Sequence, residues 1–204
     1  MRGPWWSVAA LGAVAVVAVG IHLTYTRSTD NSVQATMASS KLSLTSTAFA
    51  SGAAIPSKYT CDLPRVAGGE AGGAQINPPL AITGVPATAQ SLALIMDDPD
   101  VPKQLKPDGV FDHWILFNIP PETKEITSGV AVGVPGANGA GKNEYTGPCP
   151  PREYEPSEHR YFFKLYALDA TLPLQAGASK MDVEKVMEGH ILAETQLIGR
   201  YKRK

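Results

Sequence analysis

Gly147-Pro148-Cys149-Pro150-Pro151, with His159-Arg160-Tyr161 eight residues on, is the stretch whose reading decides the fold. Proline fixes its own φ and offers no backbone donor, so the run is poor material for a helix or a central strand and reads as a stiff loop. It leads into Arg160 to Leu168, where Tyr161, Phe163 and Leu165 share one side of a strand-like segment. A rigid loop abutting polar side chains at a strand end is a way to build a small, pre-formed pocket.

Two further apolar runs read as buried strands. Ser91 to Met96 feeds Asp98-Pro99-Asp100-Val101-Pro102, and Phe111 to Ile119 carries His113-Trp114 near its start and stops at Pro120-Pro121. At period two, Phe111, His113, Ile115, Phe117 and Ile119 share one face. Leu42, Leu44 and Phe49 open the folded part with similar alternation. Gly68 to Gly73 reads as a flexible loop without the strand-then-helix context of a dinucleotide fingerprint, and Gly129 to Gly141 as a mobile surface loop. Near the end Ser179 caps with Asp182, and Val183, Val186, Met187 and Leu192 follow at helical steps, with Gly189 dividing two short helices. Many short strands with late helices predict a mostly β domain with short peripheral and C-terminal helices.

A length of 204 residues suits one domain with a sizeable core, and a net charge of −1 argues against a sequence-independent nucleic-acid binder. The basic cluster Tyr201-Lys202-Arg203-Lys204 reads as a solvated tail. Residues 1–25 read as a signal peptide or signal anchor: Arg2 precedes Trp5 to Tyr25, an apolar run of roughly the 20 residues needed to cross a bilayer. Trp5, Trp6 and Tyr25 suit the membrane interfaces, while Val33-Gln34-Ala35 loosely fits a cleavage site. Residues 26–40 read as a polar linker and 41–204 as the folded domain. The expectation is an exported protein, membrane-anchored if the segment stays and periplasmic or secreted if it is removed. In an oxidising compartment Cys61 and Cys149 are either bridged or two separate buried thiols.

The three pocket elements, in this order, resemble the phosphatidylethanolamine-binding protein family in its bacterial branch, a family that includes the Raf kinase inhibitor protein of animals and the flowering-time regulators of plants. The likeness runs from about Lys41 to Arg200. It takes in Tyr59-Thr60-Cys61-Asp62, Pro78-Pro79-Leu80, Gly84-Val85-Pro86, Ala93 to Asp100, His113-Trp114, Gly147 to Pro151, His159-Arg160-Tyr161 and Gly189-His190-Ile191-Leu192. The resemblance implies a Greek-key β-sandwich and puts Asp98, Asp100, His113, Gly147, Pro150, His159 and Tyr161 at one pocket mouth. It also brings the segments of Cys61 and Cys149 close to that pocket, which favours a disulfide. On residues alone, Asp98-Pro99-Asp100 is a turn and His113 a core histidine; the resemblance turns both toward ligand binding. The chain departs from the bacterial pattern at Gln75 to Leu80, with Ile82 where an aromatic is expected, and in the charged loop Arg152 to Glu158.

Such a set would hold a small phosphate-bearing or other anionic ligand. His113, kept charged by the aspartates, donates with His159, the Tyr161 hydroxyl and the Gly147 amide, while the carboxylates accept from a phosphate hydroxyl or an ammonium group. Arg160 alternates to the other face and is expected to pair with a carboxylate. No cofactor, metal or catalysis is expected: no His-x-x-x-His spacing occurs, Cys149 sits between prolines, and no Gly-x-Ser-x-Gly is present. The animal and plant relatives imply an alternative, an inhibitor of a protease or kinase acting through surface loops. A small hydrolase using the Asp/His cluster is the third reading.

Overall fold

The apolar runs singled out above become the centre of a five-stranded antiparallel sheet. The structure, a computed structural model, describes residues 41–62 and 76–204. The readings of Trp5–Tyr25, the linker 26–40 and Gly68–Gly73 lie outside the described residues. Among the described residues no helix is long and apolar enough to cross a membrane.

Among the described residues the strands are β1 Ser43–Thr45, β2 Leu80–Thr83, β3 Ser91–Asp98, β4 Phe111–Ile119, β5 Glu125–Ile126, β6 Val134–Pro135, β7 Glu158–Leu168 and β8 Ile191–Lys202, with one α-helix, α1 Lys180–Met187. The small sheet runs β1-β2-β5 and the large one β6-β4-β3-β7-β8. Leu44, Leu80, Ile82 and Ile126 of the small sheet pack against Leu94, Met96, Trp114, Leu116, Phe163 and Leu165 of the large one. On the other face of the large sheet, Ala93, Ile95, Ile115 and Phe117 pack with Val183 and Met187 of α1. Because β3 is covered on both sides, it needs apolar residues at consecutive positions, and Leu92 to Met96 are all fully buried. Each large side chain so buried contributes roughly 1.5–3 kcal/mol relative to exposure.

β4 does not keep strict alternation. Its register against β3 slips by one residue between Met96↔Trp114 and Asp97↔Asp112, and again between Leu92↔Ile119 and Leu94↔Leu116. The first slip is a β-bulge whose extra residue is His113. The second holds Asn118 at a φ of 51°, a conformation asparagine tolerates. The single face expected for Phe111, His113, Ile115, Phe117 and Ile119 is therefore split. Ile115 and Phe117 go to the helix side, Ile119 joins Trp114 and Leu116 between the sheets, and His113 is left at the sheet end.

Two other expectations are corrected and a third is qualified. The late helical pattern ends at Met187: Gly189, at a φ of 82°, turns the chain, and Ile191–Lys202 is an edge strand rather than a second helix. The Ser179 cap with Asp182 is present as a capping box. Gly129 to Gly141 is not simply a surface loop, because Val134–Pro135 pairs with β4 and Gly136 is buried where a Cβ would lie 2.7 Å from the Ala178 carbonyl oxygen. The basic C-terminus is solvated as expected, Lys202 to Lys204 being exposed, but it is also pinned. The Asp62 carboxylate accepts from the Tyr201 hydroxyl at 2.7 Å and the Lys204 amide at 2.9 Å.

Cys61 and Cys149 form a disulfide across a sequence separation of 88. Closing a loop of that size contributes about 4.6 kcal/mol in the chain-entropy model. A polar cluster on the helix side was not foreseen: buried Asp97 takes Lys164 at 2.7 Å and Lys180 at 2.8 Å, and Lys180 also reaches Asp112 at 3.0 Å. Burial alone would lower the Lys180 ammonium, but its bonds to Asp97 and Asp112 outweigh it and raise the pKa. This cluster fastens the start of α1 to the sheet.

Gly199 faces Tyr161 in the register, and a Cβ there would come within 2.6 Å of the Ile55 side chain and 3.1 Å of Phe49. Glycine in a strand marks such a close approach. Gly199→Ala is expected to cost about 1–3 kcal/mol in chemical denaturation; an unchanged midpoint would contradict the packing described.

Candidate functional site

The bulge at His113 is what assembles the site. It re-aims the imidazole toward the end of β3, where Nε2 lies 4.0 Å from Asp98 Oδ2. Its ring meets Phe111 edge-on at 4.8 Å and Tyr161 at 5.2 Å. Nδ1 lies 2.7 Å from the Thr146 carbonyl oxygen. That oxygen only accepts, so Nδ1 carries the proton, and in the neutral ring Nε2 presents a lone pair. Asp98 serves two partners: Oδ1 accepts from the Asp100 amide at 2.9 Å, and Oδ2 accepts from His159 Nδ1 at 2.7 Å. The turn reading of Asp98-Pro99-Asp100 and the pocket reading thus both describe the same side chain.

The Thr146 carbonyl is itself held in place. Thr146 N–H donates to the His113 carbonyl at 2.9 Å, and its hydroxyl accepts from buried Asn138, which also orders the intervening loop through Ala140, Lys142 and Glu144. Neither Asn138 nor Thr146 was picked out from sequence. A backbone carbonyl leaves no side-chain signature, and an asparagine in a glycine-rich run reads as one more turn former.

A cavity of about 190 Å³ opens between these groups, lined by Asp98, Val101, Phe111, His113, Thr146, Gly147, Cys149, Pro150, Pro151 and His159. Its walls are largely apolar, with Asp98 and the two histidines as the titratable groups. Five of the predicted residues, Asp98, His113, Gly147, Pro150 and His159, line it. Two do not. Asp100 is turned outward and grips Arg160, accepting from its amide at 2.9 Å, Nε at 2.8 Å and a terminal guanidinium nitrogen at 2.6 Å. Those bonds hold the Asp100 carboxyl below its ordinary pKa. Tyr161 lies beneath the cavity, fully buried, because it faces the inter-sheet core one step further along β7 than His159. Its hydroxyl makes no hydrogen bond of good geometry among the described residues, although Asp98 is near. Burial first, then that carboxylate charge, pushes its ionisation far above the usual range.

Electrostatics corrects one expectation. Burial lowers the His113 pKa below its ordinary 6.5, and this outweighs the upward pull of the Thr146 carbonyl and Asp98. Near neutral pH the ring is neutral, not held charged by the aspartates. The cavity then offers mainly acceptors: the Asp98 carboxylate and the Nε2 lone pair. His159 Nε2 is buried and without a hydrogen-bond partner among the described residues. Among the described residues no group of three acidic, histidine or cysteine side chains is arranged to hold a metal ion. A larger depression of about 490 Å³, lined by Lys41, Lys164, Tyr166, Glu194, Thr195 and Gln196, is open to solvent and gathers no comparable buried polar groups.

The phosphatidylethanolamine-binding protein family model matches residues 45–202, which includes every residue of this cavity. A UPF0098 protein of Methanothermobacter thermautotrophicus is 46% identical over 169 residues, covering 79% of this chain and 99% of that one. Another, from Chlamydia pneumoniae, is 43% identical over 163 residues with the same coverage. Among solved structures, a phosphatidylethanolamine-binding protein homolog from Chlamydia trachomatis superposes with a TM-score of 0.72 at 40% identity, covering 81% of this chain and 100% of that one. YbcL of E. coli superposes with a TM-score of 0.67 over 80% and 99% of the two chains; at 24% identity it bears on the fold alone. With a family model spanning most of the folded domain and relatives this similar along nearly their whole length, the chain belongs to the phosphatidylethanolamine-binding protein family.

Proposed function

We propose that this protein is a non-catalytic binding protein that takes a head-group-sized, phosphate-bearing ligand together with a proton. The observation that carries the reading is the 4.0 Å gap between two acceptors, His113 Nε2 and Asp98 Oδ2, in a cavity with largely apolar walls. Two facing acceptors are matched when a proton sits on the histidine or when the ligand brings a donor. A singly protonated phosphate monoester supplies both halves: its P–OH donates to Asp98, and its anionic oxygen accepts from protonated His113. The size agrees. About 190 Å³ is the liquid volume of roughly six waters, enough for a head group and short of the usual range for larger ligands. Lipid tails would have to stay outside.

A regulatory role through a protein partner is the second reading. The observation favouring it is the loop beside the cavity, where Arg152, Glu153, Tyr154 and Glu155 are all exposed. An inhibitor of a protease or kinase working through that loop would keep its activity in His113→Ala. Export is part of the proposal, supported by the apolar run at residues 5–25 and by the Cys61–Cys149 bond, which persists in oxidising compartments.

Calorimetry with phosphoethanolamine tests the ligand. Because the His113 pKa is lowered by burial and a phosphate monoester takes its second proton near pH 6, affinity is expected to rise about tenfold or more from pH 7.5 to pH 5.5. His113→Ala is expected to weaken that dependence, leaving only the part that comes from the ligand's own protonation. Affinity that stays level across the range in the unaltered chain would remove the proton-coupled model.

The same shift has a consequence without ligand. A histidine whose folded pKa lies below its unfolded value contributes stability that is complete above about pH 6.5 and lost as pH falls through the lowered folded value. The thermal midpoint is expected to decline over that window, less steeply in His113→Gln, and to recover on adding phosphoethanolamine. A midpoint that rises on acidification would contradict burial of a neutral ring.

A further inference from the structure

We infer that the Cys61–Cys149 disulfide is a redox switch on the cavity: its reduction by a dithiol lets one wall swing away and releases the ligand. The inference rests on the binding reading above and deepens it by naming how the same site is regulated.

Cys149 is at once a lining residue of the cavity and exposed to solvent, so a thiolate can reach its sulfur without the domain unfolding. A structural bridge buried in a core would offer no such access. What the bond holds is also visible. Up to Thr146 the chain is tied to β4 by backbone bonds, and the Pro148 carbonyl accepts from the Cys61 amide at 3.1 Å. Beyond that point, among the described residues, no backbone–backbone hydrogen bond outside the strands secures Cys149 to Ser157. Prolines at 148, 150, 151 and 156 have no N–H to give. The disulfide is thus the covalent tie that keeps Pro150 and Pro151 against the pocket between Pro148 and the start of β7.

The step balances as a thiol–disulfide exchange. One thiolate of a dithiol reductant attacks the Cys149 sulfur, forming a mixed disulfide and expelling Cys61 as a thiolate, which takes a proton. The reductant's second thiolate then attacks its own bridged sulfur, closing the oxidised reductant and releasing Cys149, which takes the second proton. Two electrons pass to the protein, and the reductant leaves as a disulfide. A small-molecule disulfide reverses the exchange: it takes the two electrons and two protons from the thiols, leaves as two thiols, and restores the wall.

The test uses the 204-residue chain, with phosphoethanolamine as the probe at about pH 6 and dithiothreitol as the dithiol. Thiol titration under native conditions counts the cysteines released, calorimetry reads affinity, and hydrogen exchange follows residues 147–157 and β3. The expected result is two titratable thiols, affinity at least tenfold weaker, faster exchange confined to the loop, and recovery of all three on reoxidation. Cys61→Ser/Cys149→Ser is expected to behave like the reduced protein.

Unchanged affinity with both thiols free overturns the switch, as does a disulfide that dithiothreitol opens only in denaturant. If the oxidised protein does not bind phosphoethanolamine at all, the head-group reading falls on its own. Loop exchange then decides the switch: faster exchange on reduction upholds it, and no change overturns it.

Discussion

The site depends on one extra residue. A β-bulge places Asp112 and His113 opposite a single step of β3, and this sends His113 toward Asp98 instead of into the helix-side core with Ile115. Bulges re-aim side chains at sheet ends in this way. Without it, strict alternation would put the imidazole on the face of Ile115 and Phe117, away from the Asp98–His159 pair. Asn138 and the Thr146 carbonyl then fix the ring's tautomer, and the proline-rich loop closes the far wall.

The two ends of this arrangement differ in how they are held. Asp98, His113 and His159 stand on the paired strands of the large sheet, with the buried Tyr161 ring against His113. The opposite wall hangs on prolines and a disulfide. The binding and release proposed above would use that difference, with the wall moving while the acid–imidazole floor keeps its geometry. The second ionic cluster, around Asp97, belongs to the other face of the sheet. It anchors α1 and lines no part of the cavity, although the charges of Asp97 and Asp112 pull the His113 pKa upward from behind.

Much of this was legible in the sequence. The runs Ser91–Met96 and Phe111–Ile119 are apolar and followed closely by prolines, and both became strands inside the large sheet. Arg160 could be assigned to the outer face and a carboxylate partner because β7 keeps its register against β8 from Glu158 to Ala167, slipping only at its far end. Where alternation breaks, the reading failed: nothing in Asp112-His113-Trp114 announces a bulge, so the shared face of β4 was wrong. Ile191-Leu192 puts two exposed apolar residues in a row at the start of an edge strand, and they read as a continuing helix. Asp100 and Tyr161 were drawn to the pocket by motif, whereas the fold gives the first to Arg160 and the second to the core. The charge of His113 was misjudged because the degree of burial is not visible in sequence.

Nuclear magnetic resonance of the imidazole nitrogens of His113 tests the central claim most directly. At pH 7.5 the account requires a neutral ring protonated on Nδ1 with Nε2 bare, titrating below 6.5 in the free protein and at a higher pH once phosphoethanolamine is added. A ring protonated on Nε2, or already charged at pH 7.5 without ligand, would contradict it.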